Sequence, residues 1–221
     1  MKKYFQNKKG DIISTAIGKF YIESYLGKGK SGYSYLASQS NKRVVLKFIH
    51  NEPCAYYNFS EDKLKIELDA YKILKSNSMP VPNLLYYNEK SKYLIKEYIE
   101  GMTAADWISK GMQNDIVIAN LFEISNRLKS NKLNIDYFPT NFVIRNNQLH
   151  YIDYEVNPYS DEWSLDNWGI YYWANTEGFN KFLLLGDVGS INQDIERGIP
   201  LKSPFENQVR IWKEKLSSAP L

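Results

Sequence analysis

The sequence predicts an α+β protein in which a β-rich part, residues 1–100, precedes a helical part, residues 101–221. Before Gly101, short runs alternate apolar and polar residues, which is the pattern of half-buried strands. After Gly101, apolar residues recur three or four positions apart, as they do along one face of a helix. The change of period places the joint between the two parts at Gly101.

Five strands and one helix are predicted in the first part. Three strands come first, at residues 19–26, 33–37 and 43–49. Short loops join them, including a turn at residues 38–41, so we expect an antiparallel meander. A helix capped by Ser60 follows, and its apolar residues are Leu64, Leu68, Tyr71 and Leu74. Two more strands, 83–87 and 93–98, complete an antiparallel five-stranded sheet.

The second part is predicted to contain two helices, a hairpin and an aromatic-rich helical segment. The helices cover residues 103–110 and 115–132. The inward residues of the longer helix are Ile116, Ala119, Leu121, Ile124 and Leu128. The hairpin pairs residues 142–144 with residues 149–153 around a turn at 145–147, so that Asp153 ends its second strand. From Tyr159 onward we expect mostly helix.

The composition excludes several classes of protein. Aromatic residues make up 15% of the chain and hydrophobic residues 43%, which is far more than a disordered chain carries. The single cysteine, Cys54, cannot form an internal disulfide. No uncharged apolar run approaches the roughly 18 residues that a membrane span needs. The net charge of +3 is spread along the chain, so we expect a cytosolic protein that binds neither membranes nor nucleic acid.

The segment from Gly27 to Gly32, GKGKSG, has the spacing G-x-G-x-x-G. A Rossmann turn would open into a helix, but the residues after Gly32 alternate like a strand. A Walker loop would need a glycine at position 24, which is Ser24. A hairpin that binds phosphate groups through its backbone N–H groups fits the flanking strands. A glycine hairpin with a purely structural role is the alternative.

Lys47 and Glu67 are predicted to form an ion pair. Lys47 lies inside an apolar strand, where it shares a face with Val45 and Ile49. An ammonium group on a buried face needs an anionic partner, because burying a lone charge is costly. Glu67 lies on the apolar face of the predicted helix, at helical spacing from Leu64. Glu67 and phosphate oxygens would together supply that partner, and a solvated lysine on an edge strand is the alternative.

Three polar residues follow one another around the predicted hairpin of the second part. Asp136 and Asn141 are five positions apart, and Asp153 follows across the hairpin. The hairpin would bring Asn141 and Asp153 to one hard cation, because Mg²⁺ prefers oxygen ligands. Each residue alone is also typical of ordinary turns and caps. Their combination and order favour a site.

Together these residues resemble the protein-kinase-like superfamily, over about residues 20–173. In the first part, Gly27, Gly29 and Gly32 match the glycine loop that covers the phosphates of ATP. Lys47 matches the strand lysine that binds those phosphates, and Glu67 matches the helix glutamate that pairs with it. The resemblance implies a bilobal fold with an N-lobe of five antiparallel strands and one helix, and a reduced helical C-lobe.

The resemblance also covers the segments after residue 96. Backbone groups of the hinge at Glu97 and Ile99 would bind adenine. Asp136 and Asn141 match the catalytic loop, in which the aspartate orients or deprotonates the acceptor hydroxyl and the asparagine binds the metal. Asp153 matches the metal-binding aspartate. The implied cofactors are ATP and Mg²⁺ or Mn²⁺.

Some positions depart from the pattern of that superfamily. Asn134 stands where a histidine is usual, and Phe138 stands where protein kinases place a lysine near the γ-phosphate. Lys28 or Lys30 of the glycine loop would then supply the missing charge. Asp166 resembles the aspartate that buttresses the catalytic loop.

The resemblance implies an ATP-dependent phosphotransferase, which we expect to be of the protein serine/threonine kinase type. The short interval between Gly101 and Asp136 leaves no room for the large acceptor-binding insert of aminoglycoside or choline kinases. The proportions look most like compact atypical kinases, such as the one in the KEOPS assembly and small bacterial kinase-like proteins. A small-molecule kinase, with an acidic lining that includes Glu155, Asp161 and Glu162, and a pseudokinase without transfer activity both stay open.

Overall fold

The computed structural model describes residues 7–52 and 62–216. The chain divides into two compact units, the first formed by Met1–Lys72 and Pro82–Tyr98 and the second by Ile73–Val81 and Ile99–Leu221. No signal in the sequence predicts the place of residues 73–81 in the second unit, and the domain boundary after residue 100 stays a prediction. Cys54 and Ser60 lie outside the described residues.

The first unit is built on an antiparallel sheet of six strands in the order β1-β2-β3-β4-β6-β5. The strands are β1 (Ile12–Thr15), β2 (Gly18–Lys28), β3 (Gly32–Gln39), β4 (Lys42–Ile49), β5 (Leu84–Asn88) and β6 (Tyr93–Glu97). The predicted count of five was therefore wrong by one edge strand. Strand β1 has four residues, and its Ile12 is 52% exposed, so it lacks the apolar alternation that marks the other strands.

One face of this sheet is apolar and the opposite face carries polar groups. The apolar face buries Phe20, Ile22, Tyr35, Ala37, Val44, Leu46, Phe48, Tyr93 and Ile95. Side chains alternate between the two faces along a strand, so Lys47 of β4 lies on the face opposite Leu46 and Phe48. Ser40 and Asn41 connect β3 and β4 in left-handed conformations, with φ of 47° and 67°, as a two-residue hairpin loop requires; the turn was predicted over residues 38–41, but Ser38 and Gln39 belong to β3.

Helix α1 runs from Lys63 to Ser76. Leu64, Leu68 and Leu74 are buried along it, as the helical spacing predicts, and Glu67 is buried among them. The Oδ1 atom of Asp62 accepts a hydrogen bond of 3.0 Å from the N–H of Leu64 and caps the first turn.

The second unit combines five helices with short strands among the described residues. The helices are α2 (Ala104–Ser109), α3 (Asp115–Ser130), α4 (Ile170–Ala174), α5 (Thr176–Leu185) and α6 (Glu206–Leu216), with a π-helical turn at Leu165–Gly169. The strands are β7 (Met102–Thr103), β8 (Leu133–Asn134), β9 (Phe142–Arg145), β10 (Gln148–Tyr151), β11 (Asn157–Pro158), β12 (Asn192–Asp194) and β13 (Ile199–Pro200). Strands β12 and β13 interrupt the segment that was predicted to be mostly helix. In the part of the chain that the structure describes, no helix has the length and apolar character to cross a membrane.

Helix α3 buries a wider face than the sequence indicated. Leu121 and Leu128 are inward as predicted, and Val117 and Ile118 join them. Ile116 was predicted inward but is 54% exposed. It precedes Leu121 by five residues and therefore lies about 140° around the helix from it.

Gly101 lets the chain enter the second unit against the hairpin of β9 and β10. A Cβ atom at Gly101 would lie 2.4 Å from the carbonyl oxygen of Ile144. Directly after it, Met102 pairs with Ile144 in a three-stranded sheet of order β10-β9-β7. At the far end of the hairpin, Asn146 and Asn147 have φ of 52° and 61°, which the predicted tight turn requires.

Candidate active site

The glycine-rich segment forms a hairpin loop between two strands. Strand β2 ends at Lys28 and β3 begins at Gly32, and the N–H of Gly29 donates to the carbonyl oxygen of Gly32 over 2.9 Å. A strand follows this loop, whereas Rossmann and Walker loops open into a helix. The segment therefore has the hairpin form that the flanking alternation predicted.

Two of its glycines are required by the geometry. Gly27 has a φ of 156°, which side-chain-bearing residues rarely adopt. A Cβ atom at Gly32 would lie 2.6 Å from the carbonyl oxygen of Phe48 and 3.1 Å from Cγ of Lys47. The start of β3 therefore passes directly over the Lys47 side chain. At Gly29 the nearest atom to such a Cβ is 4.0 Å away, so that position is sterically open.

The predicted ion pair of Lys47 and Glu67 is present and buried. Nζ of Lys47 lies 2.6 Å from Oε1 of Glu67, and the two side chains are 7% and 6% exposed. The hydroxyl group of Ser31, at the tip of the glycine hairpin, donates to the same Oε1 atom. Oε2 of Glu67 is buried and has no hydrogen-bond partner among the described residues. The first unit thus places a cation, a carboxylate and the glycine hairpin together.

A second buried lysine, which was not predicted from the sequence, lies on the same face of the sheet. Lys96 is 5% exposed, and it pairs across the strands with Val45, on the face that carries Lys47. Its position inside the short apolar strand β6 was the available signal, because Lys96 lies two residues after the buried Leu94 and therefore on the same face. Cationic character on this face therefore comes from two lysines.

The predicted hinge residues are held in different ways. Oε2 of Glu97 accepts hydrogen bonds from the backbone N–H and the side-chain amide of Asn83, over 3.2 and 2.9 Å. Ile99 is buried, and its backbone N–H donates to no other residue in the described part of the chain. Their role in binding adenine stays a prediction.

In the second unit, the loop before β9 brings Asp136 and Asn141 together. Oδ1 of Asp136 accepts a hydrogen bond of 3.0 Å from the N–H of Phe138. The side-chain amide of Asn141 donates to the carbonyl oxygen of Asp136 over 3.3 Å. This pattern folds the loop back on itself and orients both side chains.

Asn141 and Asp153 occupy the open end of the hairpin. The N–H of Ile152 donates to the carbonyl oxygen of Asn141 over 2.8 Å, which continues the ladder of β9 and β10 by one step. Asp153 lies two residues beyond the end of β10 instead of ending the strand as predicted. Its Oδ1 atom accepts a hydrogen bond of 2.9 Å from the N–H of Tyr154.

The donor atoms at this end are suited to a hard cation. Oδ1 of Asn141 accepts no hydrogen bond from the described residues, and Asp153 adds a carboxylate. Mg²⁺ binds through one or two carboxylates together with phosphate oxygens and water. No cluster of three or more His, Cys, Asp or Glu residues suited to a metal occurs within residues 7–52 and 62–216. The set fits a metal that is shared with a phosphate substrate, and it is too small for an all-protein metal centre.

Tyr151, beside these residues, lies in a negatively charged environment. Burial raises the pKa of Tyr151 well above its usual value of 10, and the charges of Asp153, Asp136 and Glu155 raise this pKa further. The Tyr151 hydroxyl stays protonated and donates to the carbonyl oxygen of Glu155 over 3.2 Å. Three carboxylates therefore act on the same buried hydroxyl.

The loop that carries Asp136 is supported by Trp173 and Gly169. The indole N–H of Trp173 donates to the carbonyl oxygen of Tyr137 over 2.9 Å. A Cβ atom at Gly169 would lie 2.4 Å from Cβ of Tyr137, so the loop packs closely on this glycine. No hydrogen bond joins the carboxylate of Asp166 to this loop within the described residues, so the expectation that Asp166 buttresses the loop stays a prediction. Its carbonyl oxygen accepts instead from Nζ of Lys213, over 2.7 Å.

Phe138, at the position where protein kinases place a lysine, belongs to an aromatic cluster. Its ring centroid lies 5.0 Å from that of Tyr172, 5.7 Å from Phe179 and 6.0 Å from Phe182. Asn134 is buried and donates through its amide to the carbonyl oxygen of Trp163 over 2.8 Å. Both residues therefore serve the packing of the second unit.

The acidic residues proposed for a cationic acceptor have local partners. Asp161 accepts a hydrogen bond of 2.7 Å from the hydroxyl of Tyr159. Glu162 lies 3.3 Å from the guanidinium of Arg197, and Glu155 accepts from a neighbouring asparagine over 3.2 Å. These contacts do not assemble the three carboxylates into one lining.

Comparisons with known proteins agree with the fold. No family model and no curated protein matches this chain. Solved structures do match, among them the crystal structure of a kinase domain. That structure is 14% identical in sequence and has a TM-score of 0.52, covering 80% of this chain and 67% of the other. The chain has a kinase-like α+β fold.

Proposed function

We propose that this protein is an ATP- and Mg²⁺-dependent phosphotransferase of the protein serine/threonine kinase type. The observation that most strongly supports this proposal is the Lys47–Glu67 ion pair beneath the glycine hairpin, whose side chains are 7% and 6% exposed. Replacing a buried ion pair with apolar residues is often neutral or stabilising, so such a pair is weak support for stability alone. A ligand that carries phosphate groups explains why the first unit retains it.

The first unit would bind the nucleotide. The Lys47 ammonium would contact the phosphate oxygens of ATP, and Glu67 would hold the lysine in place. The N–H groups of the glycine hairpin would donate to the phosphates, as backbone nests do for anions. Backbone groups at Glu97 and Ile99 would bind the adenine ring.

The second unit would serve the acceptor and the metal. The carboxylate of Asp136 would accept the proton of the acceptor hydroxyl while that oxygen attacks the γ-phosphorus and ADP leaves. Oxygen atoms of Asn141 and Asp153 would hold Mg²⁺, which neutralises charge on the phosphate groups when it is bound. The loop contacts of Asp136 with Phe138 and Asn141 would keep its carboxylate oriented.

A nucleotide-binding protein without transfer activity is the second candidate, and Phe138 favours it. The ring of Phe138 contacts Tyr172 and Phe179 and offers no charge to a γ-phosphate. Lys28 also has an acceptor of its own, because its Nζ lies 2.5 Å from Oε2 of Glu52. Both candidates require ATP binding and differ only in transfer.

Thermal unfolding with ATP and Mg²⁺ tests the shared requirement. A ligand that binds only the folded state at 100 times its Kd stabilises it by about 2.7 kcal/mol, which raises Tm. We expect this increase in the wild type and its loss in Lys47→Met. Lys72→Met, which removes an exposed lysine from α1, is the matched control and should keep the increase. No increase in the wild type would contradict nucleotide binding.

A further inference from the structure

The three carbonyl groups of the glycine hairpin loop all accept hydrogen bonds from the same two residues. The His50 ring donates through Nε2 to the carbonyl oxygen of Gly29 over 3.2 Å. Nζ of Lys63 donates to the carbonyl oxygen of Lys30 over 3.1 Å. The backbone N–H of His50 donates to the carbonyl oxygen of Ser31 over 2.9 Å. His50 and Lys63 therefore hold the whole loop from one side.

This arrangement sets the direction of the loop N–H groups. The C=O and N–H of a trans peptide point in opposite directions, and the described residues contain no cis peptide bond. Each N–H group of Lys30, Ser31 and Gly32 is consequently directed away from the donor that holds the preceding carbonyl. Successive N–H groups that point one way form an anion-binding concavity, whereas exposed carbonyl oxygens would repel phosphate.

The contacts of His50 define its protonation state. Its Nδ1 atom accepts a hydrogen bond of 3.2 Å from the N–H of Glu52, so the proton must reside on Nε2, which faces the Gly29 carbonyl. The residue is 4% exposed. A second proton on Nδ1 would replace an acceptor with a donor directed at an N–H group. Neutral imidazole therefore satisfies both contacts, whereas a second proton would cost the ring its contact with Glu52.

We propose that His50 is the positioning residue of the glycine hairpin: its neutral ring, together with Lys63, holds the loop carbonyls so that the loop N–H groups face phosphate. The inference rests on the proposed function and adds a residue that lies outside the glycine motif and outside the Lys47–Glu67 pair. His50 acts through the loop and does not contact the nucleotide itself.

The groups around His50 favour its neutral form. Burial lowers the pKa of His50 below its usual 6.5, and the nearby cations Lys63 and Lys28 lower this pKa further. Glu52 and the Gly29 carbonyl act in the opposite direction and are the weaker influence. The Tyr33 ring packs edge-on at 5.0 Å, and its hydroxyl donates to Glu52 over 2.7 Å.

The sign of the pH dependence follows from this lowered pKa. Above pH 6.5 the histidine is neutral whether the loop is held or released. Below pH 6.5, His50 binds a proton when the loop is released but remains neutral while the loop is held. Acid therefore favours release of the loop. We expect the hold on the loop to be complete at neutral pH and to weaken as the pH falls below 6.5.

Hydrogen exchange of the backbone amides of Gly29 and His50, which donate to the carbonyl oxygens of Gly32 and Ser31 in the loop, tests the proposal when it is expressed as protection factors from pH 5 to 8. Wild-type protection should decline below pH 6.5, by up to about tenfold per pH unit. In His50→Gln the side-chain amide still donates to Gly29 and does not titrate, so protection should not decline. In His50→Ala protection should be about fivefold lower than in the wild type at pH 7.5, the loss expected for one net hydrogen bond, and should not decline with pH.

The only other histidine supplies the matched control, because the chain has two. His150→Gln, in β10 of the second unit, should reproduce the wild-type pH profile of the loop. A wild-type profile in His50→Gln, or unchanged protection in His50→Ala, would overturn the proposal. If His50→Ala fails to fold, the His50→Gln profile decides by itself.

ATP affinity, measured on the same variants at pH 7.5 with Mg²⁺, separates this proposal from the proposed function. We expect His50→Ala to weaken binding by about fivefold and His50→Gln to restore it. If His50→Ala binds ATP as tightly as the wild type does, the positioning role is overturned and the proposed function stands. If amide exchange in the loop responds as expected but the wild type binds no ATP, the proposed function is overturned. The contact of His50 with the hairpin would still stand.

Discussion

Breaking the Lys47–Glu67 pair should destabilise the protein far more when one partner is removed than when both are. Nζ and Oε1 lie 2.6 Å apart, and the side chains are 7% and 6% exposed. With an effective dielectric constant of about 20, two charges at that distance attract by about 6 kcal/mol. Desolvation of the two ions offsets most of this attraction, so the pair contributes little net stability.

The single variants remove the attraction and leave one charge buried without its partner. We expect Lys47→Met and Glu67→Leu each to lower the free energy of unfolding by about 3–5 kcal/mol. Lys47→Met leaves the Glu67 carboxylate with Ser31 as its remaining donor, while its other oxygen already has no partner among the described residues. The double variant should be within about 1–2 kcal/mol of the wild type, because it buries no charge.

Urea unfolding at pH 7 of all four proteins measures the coupling between the two sites. The exposed pair Asp69 and Lys72 on the same helix, 2.9 Å apart with side chains 48% and 73% exposed, gives a matched control cycle. Its single variants should change the free energy of unfolding by less than about 0.5 kcal/mol. If the Lys47 and Glu67 variants each cost less than about 1 kcal/mol and their effects add, the pair is not desolvated and the reasoning is refuted.

Three further results are expected. Asp153→Asn should remove the Mg²⁺-dependent part of ATP binding, measured by titration calorimetry with and without Mg²⁺; equal loss without the metal would argue against a metal ligand. Gly101→Ala should lower the free energy of unfolding by about 1–3 kcal/mol in urea, since its methyl group would meet the Ile144 carbonyl, and an unchanged value would contradict that close approach. Trp173→Phe removes the donor to Tyr137 and should cost about 1 kcal/mol while increasing amide exchange in the loop of Asp136; unchanged exchange would show that this indole does not support the loop.

Elements with a strong apolar pattern in the sequence were predictable, and elements with a weak pattern were not. Strands β4 and β6 are short apolar runs that are buried on both faces, so both strands appeared at nearly their observed positions. Strand β1 has no such signal, because its stability comes from hydrogen bonding to β2 at the sheet edge. Ile116 shows the same limit for helices, since spacing alone does not show where the centre of the buried face lies.

Within the candidate site, residues on one element were predictable and contacts between distant segments were not. The faces of a strand and a helix indicated that Lys47 and Glu67 would meet. The contact of Ser31 with Glu67 and the hold of His50 on Gly29 depend on the fold of the hairpin, and no period or motif encodes them. Asp166 was expected by resemblance alone and its role stays a prediction, whereas the hydrogen bond from the indole of Trp173 to the loop had no signal in the sequence.

Transfer of labelled γ-phosphate from ATP tests the central claim most directly. The wild type, incubated with Mg²⁺ and a generic protein acceptor, should label itself or the acceptor. Asp136→Asn should lower that rate by about 10²–10⁴-fold, the contribution of a positioned general base, while ATP affinity stays the same. Asp115→Asn, which alters an exposed aspartate of α3, should transfer at the wild-type rate. Undiminished transfer by Asp136→Asn, or ATP binding by a wild type that transfers nothing, would contradict the assignment of a kinase.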